Sequence, residues 1–449
     1  MQLGSRVRFK EVLLVSLDWC RPKDPPLSLG AASIMSTLLK GGVAAIPLSY
    51  NMNHPNFSPA EVVEHVFQLR PTKQSLLGIG AFVWNEVHVQ SILSQLRCNN
   101  FPGSILIGGP QISYSIHHPQ KYYPNADIYC RGYAEQGVLK LITKATFDNP
   151  CPNIGGVSYR DLPDLGVQAT CDLQILPSPY LEGLVVPQPF LRWETQRGCP
   201  FQCSFCQHRE SHLSTSSHQR TRQPFNGNRL LEEAAWFCSN GVTDIAVLDP
   251  TFNSGPNYLH ILDMLTSNEY QGKISLQCRF EMVKEEFLQK VTRLIAQGAK
   301  VVLEFGLQTV IKEEAKAIHR PNHLNKVEEV IISLHELHIP FEVSLIFGLP
   351  LQTLNSFKQS VNFCLGHRVP TVKAWPLMIL RGTPLDSLEM RQKFRLRERD
   401  ICASEEIDRV QIDIPHVVES STFTEQEWKE MANIAEYLAK TECCHPFSV

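Results

Sequence analysis

Along residues 11–145 short apolar runs alternate with longer stretches in which apolar residues recur every three or four positions. EVLLVSLD (11–18) is a β-rich run, and SLGAASIMSTLLKGG (28–42) has helical periodicity with a glycine stop. The alternation continues through strand AAIPLSY, helix SPAEVVEHVFQLR with Ser58 as N-cap, strand SLLGIGAF, helix EVHVQSILSQLR, strand SILIGG and helix AEQGVLKLITKA. Strict alternation at these lengths predicts parallel strands joined by crossover helices, a doubly wound Rossmann-like or flavodoxin-like sheet. Ligands of such sheets sit at the carboxyl ends of the strands, which points to Asp18 to Ser28, Ala81 to Glu86 and Gly108 to Ser113.

Residues 146–190 are rich in Pro, Gly and Asp and read as a linker. A second alternating series begins at residue 191. Its strands are LRWETQ, DIAVLDP, ISLQCRF, KVVLEFGL, FEVSLIFGLP and TVKAWPLMI, each but the last followed by a helical stretch. About six β/α units are too few for a closed eight-fold barrel and suit a partial (β/α)6 barrel. The expected organisation is a doubly wound domain over 1–145, a linker over 146–190, a partial barrel over 191–390, and a small C-terminal helical segment over 391–449 that closes the barrel mouth. In that last segment Thr424 and Glu427 have capping-box spacing.

At 449 residues and 43% hydrophobic, the chain can bury two or three cores. A formal net charge of −3 with well-mixed signs gives no footprint for nucleic acid or an anionic membrane. The basic start leads into a short apolar run without a cleavage-site pattern, so it reads as a first strand rather than a signal peptide. No run of about eighteen apolar residues occurs. These features predict a soluble, cytoplasmic protein.

The chain has 14 cysteines, most of them isolated and best read as small buried hydrophobes. The exception is RGCPFQCSFCQHR, where Cys199, Cys203 and Cys206 form a C-x3-C-x2-C pattern at the end of the first barrel strand. Thiolates select zinc, copper(I) and iron–sulfur clusters. Three ligands leave one iron of a [4Fe–4S] cluster open. The competing readings are a zinc site completed by His208 or His212, and three unconnected thiols. The terminal pair Cys443 and Cys444 is read as part of a frayed tail.

RGCPFQCSFC resembles the signature of the radical S-adenosylmethionine (radical SAM) enzymes. The resemblance implies a [4Fe–4S] cluster on Cys199, Cys203 and Cys206, whose open iron chelates S-adenosylmethionine and passes it an electron, yielding a 5′-deoxyadenosyl radical. Phe205 matches the aromatic that often precedes the third cysteine. IAVLDPTFN stands where the family holds the methionyl amino group, which implicates Asp249, Pro250 and Thr251. Arg279 ends the third strand and is the candidate for the cofactor carboxylate. LEFGLQT implicates Glu304 and Gln308 for the methionyl or ribose part, and VSLIFGLP puts Gly348 near the adenine. PLMILRGTPL adds Leu377 and Met378, with Arg381 where the family usually has proline.

The N-terminal half resembles the cobalamin-binding domain fused ahead of many radical SAM enzymes, through PPLSLGAASIMSTLLKGG, ILIGGPQIS and ADIYCRGYAEQGVLKLI. The resemblance implies cobalamin contacts at Asp18, Leu29, Trp84, Asn85 and Gln111, and at Gly108, Gly109, Gly132 and Tyr133. The D-x-H-x-x-G motif that supplies a cobalt-ligating histidine elsewhere is replaced by DWCRPKD, with Asp18 and Cys20. Trp84 is the candidate to cover the lower face of the corrin, and Gly108 and Gly109 to admit the corrin or its nucleotide tail.

Together these resemblances imply a cobalamin-dependent radical SAM methyltransferase acting on an unactivated carbon, or phosphinate phosphorus, of a small-molecule or peptide substrate. They also imply a flavodoxin-like or ferredoxin-like electron donor and a monomer. Alternatives are radical rearrangement or ring formation with or without cobalamin, and a non-catalytic zinc- or cluster-carrying binding module. Asp249, Glu304, His208, His212 and Tyr133 lie on segments expected to face the cavity, yet none is assigned as a proton carrier.

Overall fold

The structure is a computed structural model, and it describes residues 7–209, 222–400 and 414–449. The chain divides between Gln188 and Pro189 into two compact units.

Unit 1 contains strands β1 (Glu11–Asp18), β2 (Ile46–Asn51), β3 (Ser75–Gly80), β4 (Ser104–Gly108), β5 (Ile128–Cys130) and β6 (Val157–Tyr159). Helices α1 (Leu29–Lys40), α2 (Pro59–Gln68), α3 (Glu86–Cys98), α4 (Pro110–Ser113) and α5 (Ala134–Lys144) connect them. The sheet order is β2-β1-β3-β4-β5-β6, parallel throughout except for β6 against β5. Both faces of β1 are buried. Leu13, Val15 and Leu17 pack with Val62, Val89 and Ile92 on one side, and Val12 and Leu14 pack with Leu38, Val138 and Leu141 on the other. A strand covered on both faces reads as a continuous apolar run, as EVLLVSLD does. Ser58 caps α2 as expected, its hydroxyl accepting from the Glu61 amide at 3.2 Å. Within 146–190, expected as linker, β6 adds an antiparallel edge strand.

Unit 2 contains β7 (Phe190–Trp193), the short antiparallel pair β8 (Gln196–Arg197) and β9 (Gln223–Pro224), then α6 (Gly227–Ser239) and β10 (Asp244–Val247). It continues with α7 (Tyr258–Ser267), β11 (Lys273–Cys278), α8 (Glu285–Ala296), β12 (Lys300–Gln308), α9 (Lys312–Ala317) and α10 (Leu324–Glu336). Next come β13 (Phe341–Phe347), α11 (Leu354–Gly366), β14 (Thr371–Pro376) and α12 (Leu388–Phe394). The last elements are β15 (Arg397–Asp400), β16 (Pro415–Glu419) and α13 (Glu425–Lys440). The main sheet runs β14-β13-β12-β11-β10-β7, all parallel and in chain order, as a partial barrel requires.

Here the strands alternate. On β12, Val301, Leu303, Phe305 and Leu307 are fully buried, while Val302, Glu304, Gly306 and Gln308 are partly exposed. β13 repeats the pattern, with Glu342 and Ser344 in the partly exposed set. One face therefore packs against helices, and the other is polar.

The C-terminal segment is part of this unit. Thr424 and Glu427 form the expected capping box on α13, which packs against β14 and α11. The Leu377 amide donates to the Phe347 carbonyl and the Val417 amide donates to the Leu377 carbonyl, both at 2.9 Å. Residues 347, 377 and 417 thus continue the ladder past the ends of β13 and β14.

Candidate functional site: a cysteine loop and two carboxyl edges

The cysteine loop leaves β7 and is fixed from several sides. Asp249, just past β10, accepts from the Thr195 amide at 2.8 Å and the Gln196 amide at 3.2 Å, and also from the Thr195 hydroxyl. Its carboxyl is 1% exposed, and burial pushes its pKa up to about 7 against the opposing hydrogen bonds. Asp249 was expected at the cofactor; the structure shows its side chain engaged with the start of the cysteine loop. Farther along, the Ser204 amide donates to the Ile318 carbonyl at 2.9 Å, and the Gln207 side-chain amide donates to the Arg381 carbonyl at 2.9 Å.

Cys199 and Cys203 are buried and Cys206 partly so, and none is in a disulfide. Burial pushes the Cys206 thiol up to about 11; the His208 amide and Arg320 oppose the rise, and Cys203 and Cys199 add to it. A thiol raised in this way is a poor isolated anion and suits a bound cationic centre. Among the described residues no three His, Cys, Asp or Glu side chains converge on a single-ion site. His208 is exposed, with its backbone amide donating to Cys206 Sγ at 3.4 Å, and His212 lies outside the described residues.

Arg320 approaches this loop. It is buried, its Nη1 donates to Cys203 Sγ at 3.3 Å, its Nη2 donates to the Gly306 carbonyl, and its Nε has no hydrogen-bond partner. The Gly306 backbone makes room for it. A Cβ there would stand 2.5 Å from the Gln308 side-chain nitrogen and 3.1 Å from Arg320 Nη2. A β-bulge between Gly306 and Gln308, with Gln308 at φ 71, brings this about. Arg279 is also buried, its guanidinium 3.8 Å from the Phe201 ring centroid and hydrogen-bonded to Glu281 and the Pro321 carbonyl. Burial, reinforced by Arg320, lowers its pKa. The sequence signal for Arg320 was slight: an arginine just before Pro321, twelve residues after Gln308, reads as a surface charge.

The other expected residues are distributed along the same edge. Thr251 is buried with Oγ1 3.7 Å from Cys199 Sγ, its carbonyl accepts from the Gln196 side chain at 3.0 Å, and Pro250 and Phe205 are partly exposed. Glu304 lies on the polar inner face, where burial and then Glu342 raise its pKa, while Lys373 pairs with Glu342. The Gly348 and Leu349 amides donate to Gln352 Oε1 at 2.7 and 3.2 Å, and Gly348 has φ 85. Leu377 is buried and takes part in the ladder through its backbone, whereas Met378 is partly exposed.

In unit 1 the sheet order reverses between β1 and β3, the usual place for a ligand crevice. Trp19, after β1, is 53% exposed. Trp84, after β3, is 39% exposed and stacks on Phe82 with ring centroids 4.6 Å apart. The other expected residues are largely built into the scaffold. Asn85 is buried, accepts from the Phe82 amide at 2.7 Å and donates to the Leu17 and Gly80 carbonyls at 3.2 and 3.1 Å. Gly109 has φ 91, and a Cβ there would meet the Ala81 carbonyl oxygen at 2.6 Å; Gly132 has φ 78 and meets Ala169 in the same way. Gly108 is less constrained, with Cys130 at ordinary contact distance. Gln111 donates to Glu86, and the Tyr133 amide to the Ala169 carbonyl at 3.2 Å. Asp18 accepts from the Ser16 hydroxyl, and Leu29 opens α1 beside its cap Ser28. Arg131, not singled out beforehand, is fully buried, pairs with Asp164 and donates to the carbonyls of Ile112, Ser115 and His117, organising the loop after β4.

Three parallel lines converge here: a cysteine triplet on the first loop of a partial barrel, a polar barrel interior, and a doubly wound unit ahead of it. Residues 193–364 match the Radical SAM superfamily. Across both units it is similar to cobalamin-dependent radical SAM methyltransferases. It is 25% identical over 374 residues to the cobalamin-dependent radical SAM methyltransferase TokK of Streptomyces tokunonensis, covering 78% of this chain and 54% of that one. The 2-(S-pantetheinyl)-carbapenam-3-carboxylate methyltransferase of Streptantibioticus cattleyicolor matches at the same identity and coverage. The chain thus spans about half the length of the curated relatives it matches. In fold it is similar to the radical S-adenosylmethionine methyltransferase TsrM from Kitasatospora setae, with a TM-score of 0.72 at 14% identity over 97% of this chain and 90% of that one. The cobalamin-dependent radical enzyme OxsB gives 0.63 at 16% identity over 98% of this chain and 57% of that one. Among the described residues no helix is long and apolar enough to cross a membrane.

Proposed function

We propose that this chain is a cobalamin-dependent radical SAM methyltransferase that acts on an unactivated carbon, or phosphinate phosphorus, of a small-molecule or peptide substrate. The observation that carries the reading is the cysteine loop, with three undisulfided cysteines held on one side by Asp249 and on another by Ile318 and Arg320. When bound, a [4Fe–4S] cluster with S-adenosylmethionine supplies one-electron cleavage and hydrogen abstraction, and cobalamin supplies methyl transfer.

Cys199, Cys203 and Cys206 would hold the cluster. Arg320 and Arg279 put two guanidinium groups beside the loop, suited to a carboxylate, with Phe201 fixing Arg279 in place. Gln308 and Glu304 offer polar contacts from the inner face, and the Thr251, Gly348 and Met378 segments line the same carboxyl edge. In unit 1 the exposed Trp19 and the Phe82–Trp84 stack give an aromatic edge suited to a large flat macrocycle, and residues 19–27 contain no histidine that could reach its metal. Gly108 and Tyr133 lie on the neighbouring loops as further candidate contacts. Abstraction by a radical needs placement more than a protein base, and the buried arginines and polar inner face serve placement. An oxygen-sensitive cluster and many thiols outside disulfides suit a reducing cytoplasm, and reduction of the cluster calls for a flavodoxin-like or ferredoxin-like donor.

The test is anaerobic reconstitution with iron, sulfide and hydroxocobalamin. The expected result is about four irons and four sulfides per chain, the composition of one such cluster, together with a retained corrin spectrum. Zinc without sulfide overturns the radical reading, and a chain that retains no corrin overturns the cobalamin half.

A further inference from the structure

Glu314, on α9, is 1% exposed, and its hydrogen bonds come from neutral donors. It accepts from the Thr309 hydroxyl at 2.6 Å, from the Ser356 hydroxyl, and from the Gln352 side-chain amide at 3.5 Å. Burial raises its pKa. A carboxyl in such a place is costly unless its geometry is needed, because an apolar residue would pack there without the desolvation penalty.

Each of these donors belongs to a different part of the cofactor-facing edge. Thr309 follows the last residue of β12, and Ser356 lies in the first turn of α11, where its hydroxyl also accepts from the Thr353 amide at 2.8 Å. Gln352, itself fully buried, holds the Gly348 and Leu349 amides through Oε1 and donates to the Ile346 carbonyl at 3.1 Å. At the far end of α9, the Ile318 carbonyl takes the Ser204 amide, and Arg320 reaches Cys203. One short helix therefore joins the cysteine loop to the Gly348 turn, and Glu314 ties that helix to the turn.

We propose that Glu314 is a positioning residue that sets the separation between the cysteine loop and the Gly348–Leu349 turn, and thereby the affinity for S-adenosylmethionine. This deepens the radical SAM reading above and rests on it. Changes at Glu314 should alter cofactor binding more than they alter cluster assembly. A residue serving only stability would change both together.

The experiment uses the full chain, reconstituted anaerobically. Iron and sulfide content are measured first, then thermal unfolding, then S-adenosylmethionine affinity and the EPR spectrum of the reduced cluster with and without S-adenosylmethionine. Glu314→Gln should keep its cluster, weaken S-adenosylmethionine binding by about tenfold, as losing a buried hydrogen-bond acceptor does, and change the EPR spectrum of the cofactor-bound form. Thr309→Val removes one donor without touching the carboxyl, and should shift affinity in the same direction by less. Unchanged affinity and spectra in a folded Glu314→Gln protein overturn the proposal. So does a Glu314→Gln protein that fails to fold, if Thr309→Val then binds S-adenosylmethionine like the wild type. A wild-type chain that assembles no cluster sinks the radical SAM reading itself, and this is seen before any variant is compared.

Discussion

The two units are both parallel α/β structures, yet their strands differ in a way that decides where a ligand can lie. In unit 1 helices cover both faces, and β1 is buried from Val12 to Leu17. Only the loops at the carboxyl edge can touch a ligand. In unit 2 one face stays open, and β12 alternates buried and polar residues over its length. Strand side chains such as Glu304 and Gln308 can therefore join the loops in binding. Burial pattern along a strand thus distinguishes an edge site from an interior one before any ligand is seen.

The largest test of this contrast is Cys203→Ala. It should abolish cluster assembly and S-adenosylmethionine cleavage while leaving corrin retention intact, read from iron content, 5′-deoxyadenosine release and the corrin spectrum. Retained cleavage would overturn the assignment of the cysteine loop.

A glycine in each unit offers a sharper comparison. Gly109→Ala should destabilise unit 1 by about 1–3 kcal/mol from the backbone alone, since φ 91 with ψ 178 is essentially confined to glycine, and the new Cβ also meets the fixed Ala81 backbone at 2.6 Å. Gly306→Ala meets the movable ends of Gln308 and Arg320 instead. It should leave the melting temperature nearly unchanged and weaken S-adenosylmethionine binding by roughly tenfold, the effect of losing one or two polar contacts. Equal thermal losses in the two variants would break the distinction between scaffold glycine and site glycine.

Asp249 adds a pH dependence. Its folded pKa of about 7 lies above the ordinary carboxylate value, so its contribution to stability is complete below about pH 4 and is lost as pH rises through 7. Urea unfolding between pH 5 and pH 8 should show that decline in the wild type and a flatter profile in Asp249→Asn. An unchanged slope in the variant would show that another group sets the pH dependence.

The smallest expected effect on stability is at Trp84, where an exposed ring is removed. Trp84→Ala should shift stability by no more than about 0.5 kcal/mol and weaken corrin retention, measured by absorbance after gel filtration. Full retention would remove Trp84 from the proposed cobalamin contacts.

Much of this architecture was legible in the chain because period-2 and period-3.6 patterns are local. The stretch read as β1 matches the observed strand, and the Ser58 and Thr424 caps are in place. The cysteine triplet was legible because its chemistry lies within eight consecutive residues. Arg320, Arg131 and Glu314 were not, because their roles depend on partners 14 to 117 residues away or on several elements at once. Asn85 and Gly109 were read as ligand contacts, but their burial and backbone geometry reveal scaffold duties that sequence spacing does not encode. Strands β6, β15 and β16 were missed because short antiparallel pairs carry too little periodicity to stand out.

The ladder that runs from Phe347 through Leu377 to Val417 bears on synthesis. Forty residues separate Leu377 from the amide that its carbonyl accepts, and the Thr422 hydroxyl braces Gln352 at 2.6 Å from still farther along. A nascent chain whose six barrel strands have already left the ribosome still lacks these contacts behind the Gly348 turn. Cluster insertion and cofactor docking should therefore be late events, following release of β16 and the Thr422 segment from the exit tunnel rather than accompanying formation of the barrel strands.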